Sequence, residues 1–161
     1  MEQIAKGLLK DINLDKIGPE PQKPANTVDH WSQPLLLERA AVLRKMAKHG
    51  KGSASETLRE YPRHFAMLSF RSRSGEAEVH ARFADLFVVL SGAATLVAGG
   101  TVAGARIVAP GETRGVSIEG GTPQKLRPGD VAHVPAGTPH QMLLKGEDTI
   151  TCLVMKVQET A

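Results

Sequence analysis

The 161 residues carry 20 Lys or Arg against 17 Asp or Glu, a net charge of +3, with 41% hydrophobic and only 4% aromatic residues. That is the length of one domain with a core of Val, Leu, Ile and Ala, held without staples. A lone cysteine, Cys152, excludes an intrachain disulfide, and no apolar run is long enough to cross a membrane as a helix.

Residues 1–15, with scattered Ile and Leu, read as a short helix or an arm. The N-terminal stretch MEQIAKGLLKDINLDKIG lacks the long apolar run of a signal peptide, which predicts a cytoplasmic protein. The alternative is an exported one, if a leader precedes this sequence. GPEPQKPANT, 18–27, places three prolines in ten residues and reads as an extended connector. A helix follows. Ser32 caps it, Pro34 suits its first turn, Lys45, Lys48 and His49 suit its last, and Gly50 stops it. Leu36, Ala40, Leu43 and Ala47 recur at helical spacing and face a sheet. From Arg39 to Arg73 nine Lys or Arg meet only Glu56 and Glu60. With no aromatic interleaving and no nucleic-acid motif, this is the solvated face of a helix and exposed strand ends, and no nucleic acid or membrane partner is expected.

The stretch 52–61 reads two ways. Ser53-x-x-Glu56 fits a capping box, whereas Thr57, Leu58 and Tyr61 suit a strand. Beyond it come short β-segments: HFAMLSFRS, AEVHARF, DLFVVLSG, ATLVAGG, ARIVA, DVAHVP, HQMLL and TITCLVMKV. Twelve of the sixteen glycines fall after Ser74, mostly between these segments, which predicts an antiparallel sandwich or barrel. Cys152 lies in an apolar run and reads as a small buried hydrophobe. The connection 100–128 reads as extra strands or as a lid over the barrel mouth. Three parts result: an arm and connector over 1–31, a helix and lead-in over 32–60, and a β-barrel over 61–161.

Two segments carry candidate chemistry. In GDVAHVPAGTPHQ, Gly129, Pro135, Gly137 and His140 have the spacing Gly-x5-Pro-x-Gly-x2-His. Upstream, His80, Arg82 and Asp85 run into LFVVL and Gly92. These residues resemble the two motifs of the cupin superfamily, Gly-x5-His-x-His-x3,4-Glu-x6-Gly and Gly-x5-Pro-x-Gly-x2-His-x3-Asn. The likeness covers about 75–157, with Leu144 at the final Asn. Set against the first motif, His80 takes the first His position, Arg82 the second, and Asp85 the acidic one, at an interval one residue short. The resemblance implies an all-β fold, a small jelly-roll barrel with an N-terminal extension and one helix, and a homodimer.

It also implies a divalent metal, Fe, Mn, Ni or Zn, held by His80, Asp85 and His140. Arg82 cannot be a ligand, since a guanidinium offers no lone pair. It is assigned, with His140, to act on the substrate by gripping an anionic group. His133 is a replacement ligand if its strand turns it inward and a surface histidine if it does not. Gln141 is a neutral donor near the same region. Two functions stay open. One is a metal-dependent oxygenase, isomerase or lyase acting on a small oxygen-bearing or anionic substrate. The other is a metal-free module that binds a small molecule through Arg82 and His140. A third, plainer reading, behind these two, is a structural role through dimerisation with the barrel pocket filled by side chains.

Overall fold

Helix α1, Gln33–His49, forms where the capping signals lie. The Ser32 hydroxyl accepts from the Leu35 N–H at 3.4 Å, Pro34 sits in the first turn, and Lys48 and His49 meet the carbonyl end. The Gly50 N–H closes the last turn on the Ala47 carbonyl. Leu36, Ala40, Leu43 and Ala47 are buried, the stripe read from the sequence. The computed structural model describes residues 27–159, so the readings for 1–15 and for most of the connector lie outside the described residues.

Thirteen strands follow: β1 Ser53–Tyr61, β2 His64–Arg71, β3 Ala77–His80, β4 Phe83–Gly92, β5 Ala94–Ala98, β6 Thr101–Ala103, β7 Arg106–Ala109, β8 Glu112–Gly115, β9 Ser117–Glu119, β10 Thr122–Leu126, β11 Val131–Val134, β12 His140–Leu143 and β13 Ile150–Gln158. They make a five-stranded sheet, β1-β2-β13-β4-β11, and a six-stranded sheet, β10-β5-β12-β3-β8-β7, with β6 and β9 as a separate ribbon. The pairings are antiparallel throughout, as a jelly roll requires. The ambiguous stretch is therefore strand. Pairing of Ser53 through Tyr61 with β2 outweighs the local capping signal, and Glu56 forms an ion pair with Arg39 of the helix. The connection between the two motifs forms β6 to β10.

Strand β2 is covered on both faces. Phe65, Met67, Ser69 and Arg71 line the barrel cavity. The alternate residues Ala66, Leu68 and Phe70 point the other way, where α1 packs on β1 and β2. Arg44 of the helix lies over the Phe70 ring, 5.5 Å from its centroid. Each large side chain buried there adds roughly 1.5–3 kcal/mol. Between the sheets Val89, Leu96, Leu126, Val134, Ile150, Cys152 and Val154 form the core. At the turn from β4 to β5, Gly92 has φ +80°, and a Cβ there would collide with the Thr149 carbonyl, so only glycine closes this end of the barrel. Among the described residues no helix is long and apolar enough to cross a membrane.

Candidate metal centre

Cross-strand register builds the site. His140 on β12 stands opposite Glu78 on β3, and Lys156 on β13 stands opposite Asp85 on β4. One opposed pair thus comes from each sheet, and both line a cavity of about 540 Å³ between the sheets. His80, two residues after Glu78 and so on the same face of β3, completes the cluster. The distances are short: His80 Nε2 and His140 Nε2 each lie 3.4 Å from Asp85 Oδ2, and 3.4 and 3.7 Å from Glu78 Oε2. The side chains of His80, Asp85 and His140 are at least nine-tenths buried.

Both imidazoles are held from behind at Nδ1, with their ring planes inclined by 54°. Nδ1 of His80 lies 2.6 Å from Glu112 Oε2, and Nδ1 of His140 lies 3.0 Å from the Thr138 carbonyl. With those nitrogens donating, each Nε2 faces the centre and offers a lone pair there when its ring is neutral, the arrangement in which histidine ligates metals. Glu112 reaches His80 because the two residues are register partners across β3 and β8. Among the described residues His140 Nε2 has no hydrogen-bond partner although it is buried. Glu78 Oε1 meets Arg71 at 3.8 Å and Arg114 at 3.6 Å, one guanidinium from each sheet.

The charges are strongly perturbed. Burial disfavours the charged form of Glu78, but the hydrogen bond from His80 and the charges of Arg114 and Arg71 prevail and lower its pKa to about 2. Burial likewise opposes ionisation of Asp85, yet the His140 and His80 rings beside it and the Lys156 charge hold its carboxyl well below the usual range. For His80, burial favours the neutral ring, and the hydrogen bonds to Asp85 and Glu78 overcome it, raising the pKa to about 9. Lys156 Nζ lies 2.7 Å from Asp85 Oδ2, 2.6 Å from Oδ1 and 2.9 Å from His80 Nε2. The last contact is a hydrogen bond only while Nε2 keeps its lone pair. Asp85 Oδ1, without a well-directed hydrogen bond, is balanced by this ammonium through charge alone.

No protein-family model matches the sequence, and no curated protein matches it. Solved structures do. A protein with a double-stranded β-helix domain from Klebsiella pneumoniae superposes with a TM-score of 0.50 at 16% identity, over 68% of this chain and 79% of that one. The cupin domain of Schizosaccharomyces pombe Cnp3 gives 0.49 at 13% identity, over 66% and 61%. TT1209 from Thermus thermophilus gives 0.49 at 18% identity, over 72% and 93%. The chain has the fold of a single-domain cupin.

The cluster also takes in Glu78, which the sequence reading left out; Glu78, His80, Asp85 and Gly92 have the spacing Glu-x-His-x4-Asp-x6-Gly. The structure places Arg82 elsewhere. It is exposed beyond the end of β3, outside the residues that line the cavity, because the chain turns at Ala81 to enter β4. His133 is also corrected. It alternates with the buried Val134 on β11, its ring is 55% exposed, and it faces Glu159 at 3.8 Å. Gln141 is buried, but it is committed to the backbone: it donates to the Gly75 and Val116 carbonyls and accepts from the Ile118 N–H. His64 stacks on Tyr61 in the turn from β1 to β2.

Three residues of the cluster were missed in the sequence. Glu78 was legible in the spacing to Asp85 and Gly92. Lys156 was legible as the charged member of the alternate row Ile150, Cys152, Val154. Glu112 has no local signal. The donor set of two imidazoles and two carboxylates suits a divalent cation with open positions, and Glu78, His80 and His140 each offer a ligand atom within 4.8 Å of the others. The orphaned His140 Nε2 fits the same conclusion. These residues could hold a metal.

Proposed function

We propose that this barrel is a divalent-metal-dependent enzyme site for a small organic anion. The observation that carries the reading is the convergence of two Nε2 atoms, each ring held from behind at Nδ1, with Glu78 and Asp85 at one point of the cavity wall. His80, His140 and Glu78 would hold the ion, with Asp85 beside them. When bound, a divalent transition metal supplies Lewis-acid or oxygen-activating chemistry at that wall.

The chain's own residues supply the rest. Glu112 holds the Nδ1 proton of His80 and so fixes its tautomer. Arg71 and Arg114 take over the anion-gripping part first assigned to Arg82, since both line the cavity and are about one-quarter exposed. Gly75 leaves the room that the Arg71 guanidinium fills. Phe65, Phe83, Phe87 and Met67 give the substrate an apolar wall that excludes water.

A second reading, a metal-free binding module, is favoured by one observation: Lys156 already supplies a cation to Asp85 and His80. The test is metal content by elemental analysis, with calorimetric titration of Mn(II), Ni(II), Zn(II) and, without oxygen, Fe(II). Untagged wild type is run beside His140→Ala and Glu78→Gln. About one ion per chain, lost in both variants, is the expected result. Failure of the wild type to take up any ion at millimolar metal would sink the enzyme reading in favour of the module.

A further inference from the structure

Lys156 brings a side-chain ammonium into the cluster. Its ammonium reaches both Asp85 oxygens, at 2.6 and 2.7 Å, and His80 Nε2 at 2.9 Å. Asp85 Oδ2, the carboxylate oxygen beside the ligand set, lies 3.4 Å from His80 Nε2. Any point about 2.1 Å from both, a normal coordination distance, lies within about 3.5 Å of this Nζ. Two cations at that separation in a largely buried site repel strongly. The lone pair of His80 Nε2 can serve only one of them.

We propose that Lys156 is an internal rival of the metal, an ammonium that must leave Asp85 and His80 before a divalent ion can be held there. The inference rests on the metal reading above, and names the residue that sets how readily the site fills. The adjoining cavity gives the displaced side chain a place to go. The register pairing with Asp85 makes the contact a property of the β4–β13 ladder, not of a surface side chain's chance position. Lys156→Met keeps the length and removes the charge, so it removes the rival and leaves every ligand in place.

The experiment is competitive titration of Mn(II) against a chromophoric chelator, with wild type and Lys156→Met. The expected result is at least a tenfold lower Kd in the variant, including the extreme in which only the variant binds. Equal or weaker binding by a folded variant, with a wild type that binds, overturns the inference and leaves the metal reading standing. No binding by either protein removes both. A second measurement needs no variant. Acetic anhydride labelling of wild type, read by mass spectrometry, should show Lys156 labelling several-fold faster, relative to the exposed Lys48, once Mn(II) saturates the protein. An unchanged ratio in protein that has bound Mn(II) overturns the inference.

Discussion

Asp85 and Lys156 form the most consequential charge pair in the barrel, and a double-mutant cycle measures it. The carboxylate side chain is 2% exposed and the lysine 15%. In Asp85→Asn the ammonium loses its counter-charge, and breaking a buried pair from one side costs roughly 3–5 kcal/mol. Lys156 keeps some access to the cavity and a contact with His80 Nε2, which places the expected loss near the lower end, about 3 kcal/mol. Lys156→Met costs less, because His80 and His140 still face Asp85. The double variant buries neither charge. It should therefore be more stable than the sum of the single effects implies, with a coupling of about 2 kcal/mol. Urea unfolding followed by far-ultraviolet circular dichroism at pH 7, with a chelator present, gives all four stabilities. The pH matters. Because the folded carboxyl titrates below its ordinary value of 3.8, its contribution is present above that value and lost as pH falls. Additive single effects, within about 0.5 kcal/mol, would refute the account.

Glu112→Gln weakens the acceptor behind His80, and Mn(II) affinity should fall by about 10–100-fold; an unchanged Kd would mean that Glu112 does not orient the ring. Arg82→Ala and His133→Ala, both outside the cavity, should leave Mn(II) affinity within about twofold, and a larger loss in His133→Ala would restore its sequence assignment as a ligand. His80 must shed a proton held up to about 9 in order to ligate, so between pH 6.5 and 8.5 affinity should rise by up to about tenfold per pH unit, with proton release in calorimetry; flat affinity would place His80 outside the ligand set. Burial pushes the Cys152 thiol up to about 12, so a disulfide reagent should not label native protein and should label it fully in urea.

What the sequence determined by itself is local. Ser32, Pro34, the Leu36 to Ala47 stripe and Gly50 define α1 from end to end, because caps and a 3.6-residue period act within one segment. Short β-segments punctuated by glycine predict the all-β barrel for the same reason, and positive-φ positions such as Gly92 mark its corners. The stretch 52–61 was undecided because its capping box and its strand pattern are both local, and only the ladder with β2 separates them.

The site depended on the tertiary structure. Alternation says which residues of a strand share a face, but not which face turns inward. His133 and Lys156 both sit on alternating strands, and register alone sends one to solvent and the other into the cavity. Opposing Glu78 to His140 and Asp85 to Lys156 joins residues 62 and 71 positions apart, a distance over which no spacing rule in the sequence operates. Glu112 stands behind His80 for the same reason. The electrostatics follow from that assembly: the shifts of Glu78, His80 and Asp85, three residues unremarkable along the chain, arise only because two sheets bring them together and bury them.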